Sequence, residues 1–280
     1  MSHIQYFRLT HPDAEKDLKG RGPSPEEVRT NLRTHLHVCS ACGGSPEPQS
    51  SSESTQLKNC AGCRTTRYCS KKCQVSDWPF HKKSCAGSAS STDINLKLSK
   101  KLMANDYLMF YITVYAVLSL DLLNNPANAI DTCLVVNVTT KDADPLAALK
   151  AVMDKEERGP GSPIMLQVAS IDKKPMLTQT TPGMRTSLEK AKAALAGEGL
   201  GDWPVVMLVF TGDGINCLGC PCPITPEALK QGRELNPFVI KSSLMGVVKI
   251  PVTEKSILEQ FNNNIYMDKD NRYLLHTKSK

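Results

Sequence analysis

Aromatic side chains are scarce, 5% of 280 residues with only two tryptophans, so any large core must be mostly aliphatic. No stretch of about 20 residues is apolar throughout, as a bilayer span requires. The strongest run, residues 107–123, is interrupted by Thr113, Ser119 and Asp121. It predicts a buried core helix, and no membrane partner. The first ten residues hold no apolar core followed by a cleavage-like site, which argues against a secretory signal. There is no large excess of either charge. Thirty-four basic against 28 acidic residues give +6, which permits acidic partners and does not demand nucleic acid. Wholesale disorder is excluded by 40% hydrophobic and 22% charged residues, close to a globular average.

Cysteine is what the chain has in plenty. Seven of its eleven cysteines lie between Cys39 and Cys85, and the others are Cys133, Cys217, Cys220 and Cys222. An odd number cannot all pair as disulfides. Without a secretory signal the expected setting is intracellular and reducing, cytoplasm or nucleus, where clustered cysteines read as metal ligands.

The spacing sharpens this. Cys39 and Cys42, Cys60 and Cys63, Cys69 and Cys73, and His81 and Cys85 form four pairs, C-x2-C, C-x2-C, C-x3-C and H-x3-C. A tight turn aims both thiolates of a C-x2-C at one metal. An x3 spacing sets two ligands on one face of a helical turn. Zinc takes four such donors in a closed tetrahedral site, so eight donors imply two zinc ions. A region of about fifty residues has too little core to fold unaided, and metal binding would supply its folding energy.

Charge agrees with the metal reading. From Lys58 to Cys85 there are seven basic residues and one acidic residue. A zinc ion with four thiolates has a formal charge of roughly −2, and with three thiolates and one imidazole roughly −1. Surrounding Lys and Arg offset that charge and donate to sulfur. No interleaved aromatic series supports base stacking, so nucleic acid is disfavoured as a partner.

The residues Cys60-Ala-Gly-Cys63, Arg67-Tyr-Cys-Ser-Lys-Lys-Cys-Gln74, Asp77-Trp78 and His81-Lys-Lys-Ser-Cys85 resemble a MYND-type zinc finger. The resemblance covers residues 39–85. It implies interleaved sites, with Cys39 and Cys42 sharing one zinc with Cys69 and Cys73, and Cys60 and Cys63 sharing the other with His81 and Cys85. The seventeen-residue gap after Cys42 is longer than usual in such fingers, and its polar residues 43–55 fit a solvated loop. His35 and His37 are the nearest alternative donors. The resemblance further implies recognition of short proline-rich peptides, which pair with a strand near the third cysteine pair in a groove lined by a Gln and a Trp. The matching positions are Gln74 and Trp78. A purely structural role, with Trp78 packing the small zinc core and Gln74 capping a turn, stands beside that expectation. The chain as a whole resembles fungal MYND-type proteins, a resemblance that names no activity. The reading of the chain is a protein-interaction adaptor in transcriptional regulation.

An enzyme is the rival class. MYND fingers also occur in SET-type lysine methyltransferases. Gly20 and Gly22 resemble the glycine turn of those enzymes, but no histidine follows an asparagine, and Cys217, Cys220 and Cys222 match their downstream cluster only in part. These three cysteines are expected as free thiols, with a third metal site, completed by Cys133 or His276, as the alternative. Thr211-Gly-Asp-Gly214 is expected as a tight turn rather than a phosphate or metal site.

Around the finger (39–85) the chain divides into a segment 1–38 with a short helix, a linker 86–92 rich in Ala, Gly and Ser, and an α/β (layered) domain 93–280. Ser24, Pro25 and Glu27 form a capping box for the short helix, which should end near His37. In the α/β domain, 93–123 reads as one long helix closed by Pro126. Helices at 145–157, 186–196, 226–235 and 254–262 alternate with extended stretches at 133–138, 164–168, 205–210 and 239–252. The continuous apolar run 205–210 should be a strand covered on both faces.

Overall fold

The structure is a computed structural model that describes residues 22–35, 38–44, 57–63, 66–82, 85, 91–144, 153–154, 162–212, 217–242 and 246–278. The expectations for 1–21, for the linker 86–90, and for most of the helix 145–157 lie outside these residues.

The first helix is α1, Pro25–His35. Its capping box forms as read: the Ser24 hydroxyl accepts from the Glu27 amide at 3.2 Å, and the Glu27 carboxylate accepts from the Ser24 amide at 2.6 Å. The finger follows with two short antiparallel strands, β1 Lys58–Asn59 and β2 Arg67–Tyr68, and helix α2, Lys71–His81.

The single long helix expected over 93–123 is two helices. α3, Ser91–Met103, and α4, Asp106–Ser119, meet at a bend of 87°. Asn105 makes the break. Its extended backbone (φ −108°, ψ 93°) cannot continue a helix, and its side chain accepts from the Leu108 amide at 3.0 Å to cap α4. Polar periodicity before the break and apolar periodicity after it look like one amphipathic helix, because an internal N-cap changes only one residue. α4 also stops short of Leu123. Asp121 takes a left-handed backbone (φ 50°), and the Leu122 amide turns back to the Val117 carbonyl. Nine of its fourteen residues are buried, so residues 107–119 form a core helix as expected. Among the described residues no single helix is long and apolar enough to cross a membrane.

The rest of the domain comprises α5 Asn128–Asp131, β3 Thr132–Asp142, β4 Pro163–Pro175, α6 Met176–Gln179, α7 Pro182–Gly197, β5 Val205–Thr211, β6 Cys217–Pro223, α8 Pro226–Glu234, β7 Phe238–Ser242, β8 Gly246–Ile250, α9 Glu254–Met267 and β9 His276–Lys278. The main sheet has the order β6-β5-β3-β4-β9 and is mixed, with β3 parallel to β5 and the other pairs antiparallel. β7 and β8 form a separate hairpin. β5 is buried at every position, as its continuous apolar run predicts. Val206, Leu208 and Phe210 join the larger core with α3, α4, α8 and α9, while Val205, Met207 and Val209 face the smaller core under α6 and α7.

The finger rests on this domain. A Cβ at Gly183, in the first turn of α7, would collide with the Ser40 carbonyl oxygen, and one at Gly43 would lie 3.1 Å from Ser187. α1 is tied to the same body by the Asn31 side chain, which donates to the Ala104 carbonyl at 3.1 Å.

Candidate metal centre

The eight donors gather into two groups. In one lie Cys39, Cys42, Cys69 and Cys73, in the other Cys60, Cys63, His81 and Cys85, and within each group the ligand atoms lie within 4.8 Å of one another. The pairing is interleaved, first with third and second with fourth. Neither group needs His35 or His37.

Local structure explains each placement. In the first turn, the Cys39 amide donates to the Gly44 carbonyl and the Gly43 amide to the Cys39 carbonyl, at 2.9 and 2.7 Å. Gly43 closes this turn with φ 64°, a left-handed backbone that suits glycine. The Cys60 amide donates to Thr66 in the second turn, and the Ser40 amide donates to Arg67, so β2 holds both turns in place. Ser70 caps α2 by accepting from the Cys73 amide at 3.1 Å, which sets Cys69 and Cys73 at the start of the helix, and His81 lies in its last turn.

The distances suit zinc. Tetrahedral Zn–S bonds of about 2.3 Å put two sulfurs about 3.8 Å apart, and a sulfur and a ring nitrogen about 3.6 Å apart. Cys42 and Cys69 are 3.8 Å apart, Cys60 and Cys85 3.7 Å, and Cys69 and Cys73 3.4 Å. The Cys63 sulfur is 3.5 Å from Nε2 of His81. That leaves Nδ1 of His81 facing the Thr66 hydroxyl at 3.3 Å, and the same hydroxyl is 3.6 Å from the Cys63 sulfur. The Cys63 sulfur donates to this hydroxyl, and where the hydroxyl also accepts from Nδ1–H of His81 the ring would present Nε2 to a metal.

Acid–base behaviour points the same way. Burial pushes the Cys39 thiol up, but the backbone amides of Cys69, Cys42 and Ala41 outweigh it and bring the group down to about 7. Cys69 is raised to about 12, first by its hydrogen bond with Cys73 and then by burial. Cys85 is raised to about 11 by burial and by Cys60. Thiols this crowded ionise together only when a cation shares them, and a dication in each group supplies that charge.

Beneath the second site sits Tyr68, 2% exposed, whose hydroxyl donates to the Asp77 carboxylate at 2.7 Å. Trp78 touches the second site only through its edge. It stands 46% exposed on α2, edge-on to the His81 ring at 6.0 Å, with Gln74 half-buried one turn earlier and Val75 61% exposed. Thr66 carries no ligand spacing and escaped the sequence reading, whereas Tyr68 and Asp77 stand in the stretches that resemble the finger but were given no role there. A hydroxyl between two ligand pairs was the only signal for Thr66.

The other singled-out cysteines do not assemble. Cys217, Cys220 and Cys222 lie on β6, an edge strand that the sequence reading missed. Cys217 faces the smaller core, whereas Cys220 and Cys222 face the larger one. Cys133 belongs to the smaller core, and the His276 ring donates to the Ile265 carbonyl at 2.8 Å. Among the described residues these groups form no third metal cluster. Residues 213–216 lie outside the description, so only the start of the Thr211–Gly214 turn is seen. There a Cβ at Gly212 would lie 2.6 Å from the Asn95 amide nitrogen. Between α4, α9 and the sheet an apolar crevice too narrow to hold a water molecule, lined by Tyr111, Ile112, Tyr115 and Phe261 among others, gathers no carboxylate, histidine or thiol.

Comparison with known proteins agrees with this geometry. The MYND finger family model matches residues 38–85. The SET domain and MYND-type zinc finger protein 6 of Schizosaccharomyces pombe (strain 972 / ATCC 24843) is 42% identical over 48 residues. That stretch is 17% of this chain and 8% of that protein, so the likeness is one of a single small module. No solved structure matches. A second family model, Domain of unknown function (DUF8205), matches residues 92–280. A MYND-type zinc finger with two four-donor sites therefore precedes a domain that fills most of the chain, and the chain belongs to the DUF8205 family.

Proposed function

We propose that this protein is an interaction adaptor whose finger captures short proline-rich segments of other proteins, in the cytoplasm or nucleus, with transcriptional regulation as its setting. The observation that carries the reading is the solvent-facing side of α2. Eight other side chains satisfy the metals, yet Gln74, Val75 and Trp78 form a strip that the finger covers only in part. Large exposed apolar side chains grouped in this way suit recognition, and an extended proline-rich segment binds such a strip at low entropic cost because its backbone is already ordered. The Arg67 carbonyl of β2 already accepts from Ser40, which favours the α2 side over that carbonyl as the place for the ligand.

The test is Trp78→Ala. Zinc should stay at two per chain, because Trp78 is no ligand and is half exposed. Affinity for proline-rich peptides should fall at least about 30-fold, as expected when an aromatic anchor worth about 2 kcal/mol is removed. Loss of metal would assign Trp78 to the zinc core instead. Intact metal with unchanged affinity would remove α2 from the interaction.

A further inference from the structure

The strip on α2 is bracketed by charge. On a helix, positions i, i+3, i+4, i+7 and i+11 fall on one side. Lys71, Gln74, Val75, Trp78 and Lys82 have that spacing, and Lys82 still has helical backbone (φ −54°, ψ −32°). Both lysines are exposed. Among the described residues neither has an ion-pair partner. The one carboxylate of α2, Asp77, is turned inward to the Tyr68 hydroxyl. The apolar centre of the strip thus has an exposed lysine at each end.

Resting on the proline-rich reading above, we propose that this strip selects peptides whose proline-rich core is bracketed by two acidic residues about five positions apart. Eleven residues of α-helix rise about 16 Å. An extended polyproline-type segment advances about 3.1 Å per residue, so about five residues span the two lysines. Prolines against Trp78 and Val75 then leave one carboxylate near Lys71 and one near Lys82. Lysine is a flexible point charge, so the match is electrostatic and tolerates Asp or Glu.

The experiment uses the full chain and fluorescein-labelled eight-residue peptides. A pool with four-residue cores holding at least two prolines is screened first by fluorescence anisotropy. The best core is then made with Glu, Ala or Lys at both bracket positions. The Glu form should bind about 10-fold tighter than the Ala form, with the Lys form weakest, since each exposed ion pair contributes about 3-fold. In 1 M salt, where screening acts within about 3 Å, the three should converge to within about 2-fold. Lys71→Glu/Lys82→Glu should reverse the order with zinc still at two per chain, and Lys71→Gln/Lys82→Gln should abolish the preference if the reversed variant loses metal. Equal binding of the three peptides at low salt overturns the acidic bracket and leaves the proline-rich reading standing. No binding by any member of the pool overturns both.

Discussion

Gly62 shows how little freedom single positions in the finger have. It sits in the second turn between Cys60 and Cys63, and a Cβ there would lie 2.9 Å from the Cys85 sulfur, inside van der Waals contact. Gly62→Ala should therefore displace Cys85 and weaken the second site while sparing the first. Elemental analysis should find two zinc ions in the parent and, after mild chelation, about one in the variant. Equal metal retention in both would mean that the Cys85 sulfur lies elsewhere when zinc is bound. Cys69→Ala differs in kind, because it removes a ligand from the first site and with it folding energy of about 10 kcal/mol or more. The four ligand pairs were legible because metal chemistry restricts both residue type and spacing. Thr66 was not, because a hydroxyl that orients a ligand has no spacing rule of its own.

At the scale of elements the caps were the readable signals. Ser24, Pro25 and Glu27 begin α1 as read, and Pro226 begins α8. Asn105 works by the same chemistry but lies inside 93–123, which reads as one helix. It is fully buried and caps α4. Asn105→Ala should cost about 1–2 kcal/mol, measured from the urea midpoint, and should not merge α3 and α4 into one helix. A rise in helical circular dichroism without loss of stability would count against Asn105 as the cause of the break. β6 was missed for another reason. Cys-Leu-Gly-Cys-Pro-Cys-Pro has two prolines and a glycine, poor strand formers, and is tolerated because β6 lies at the sheet edge. Its burial has a measurable consequence. Burial raises Cys220 to about 12 and Cys222 further, the latter aided by Cys220. In the unfolded chain a thiol ionises near about 8.5. Between about pH 8.5 and 12 the unfolded chain releases protons that the folded one keeps, so stability should be complete below this window and fall as pH rises through it. Urea midpoints across that range should fall less steeply for Cys220→Ala/Cys222→Ala than for the parent, and parallel slopes would show that these thiols do not supply the pH dependence.

The molecule as a whole joins the finger to the larger domain through glycines. Ser40 belongs to the first metal turn and meets α7 at Gly183, where a side chain has no room. Gly183→Ala should push the two apart, lowering overall stability by about 1–3 kcal/mol, the usual cost of overpacking. Hydrogen exchange should report faster opening of the first turn of α7 together with residues 39–44, at unchanged zinc content. If exchange changes only within α7, the finger is not held by this contact.

The sequence by itself determined the metal sites, the helix caps read from Ser24 and its neighbours, and the strand β5. Each of these depends on chemistry that is local or strictly spaced: a thiolate pair on a turn, a hydroxyl three residues from an amide, an unbroken apolar run that only a doubly covered strand can hide. Tertiary structure decided the rest. It placed Cys217 on one face of the sheet and Cys220 and Cys222 on the other, which dissolves a cluster that looks coherent in one dimension. It bent 93–123 at Asn105, brought β3 alongside β5, and left Trp78 half exposed beside the His81 ring. These outcomes turn on which face of an element meets which neighbour, and residue order carries that information only through the packing of the whole chain.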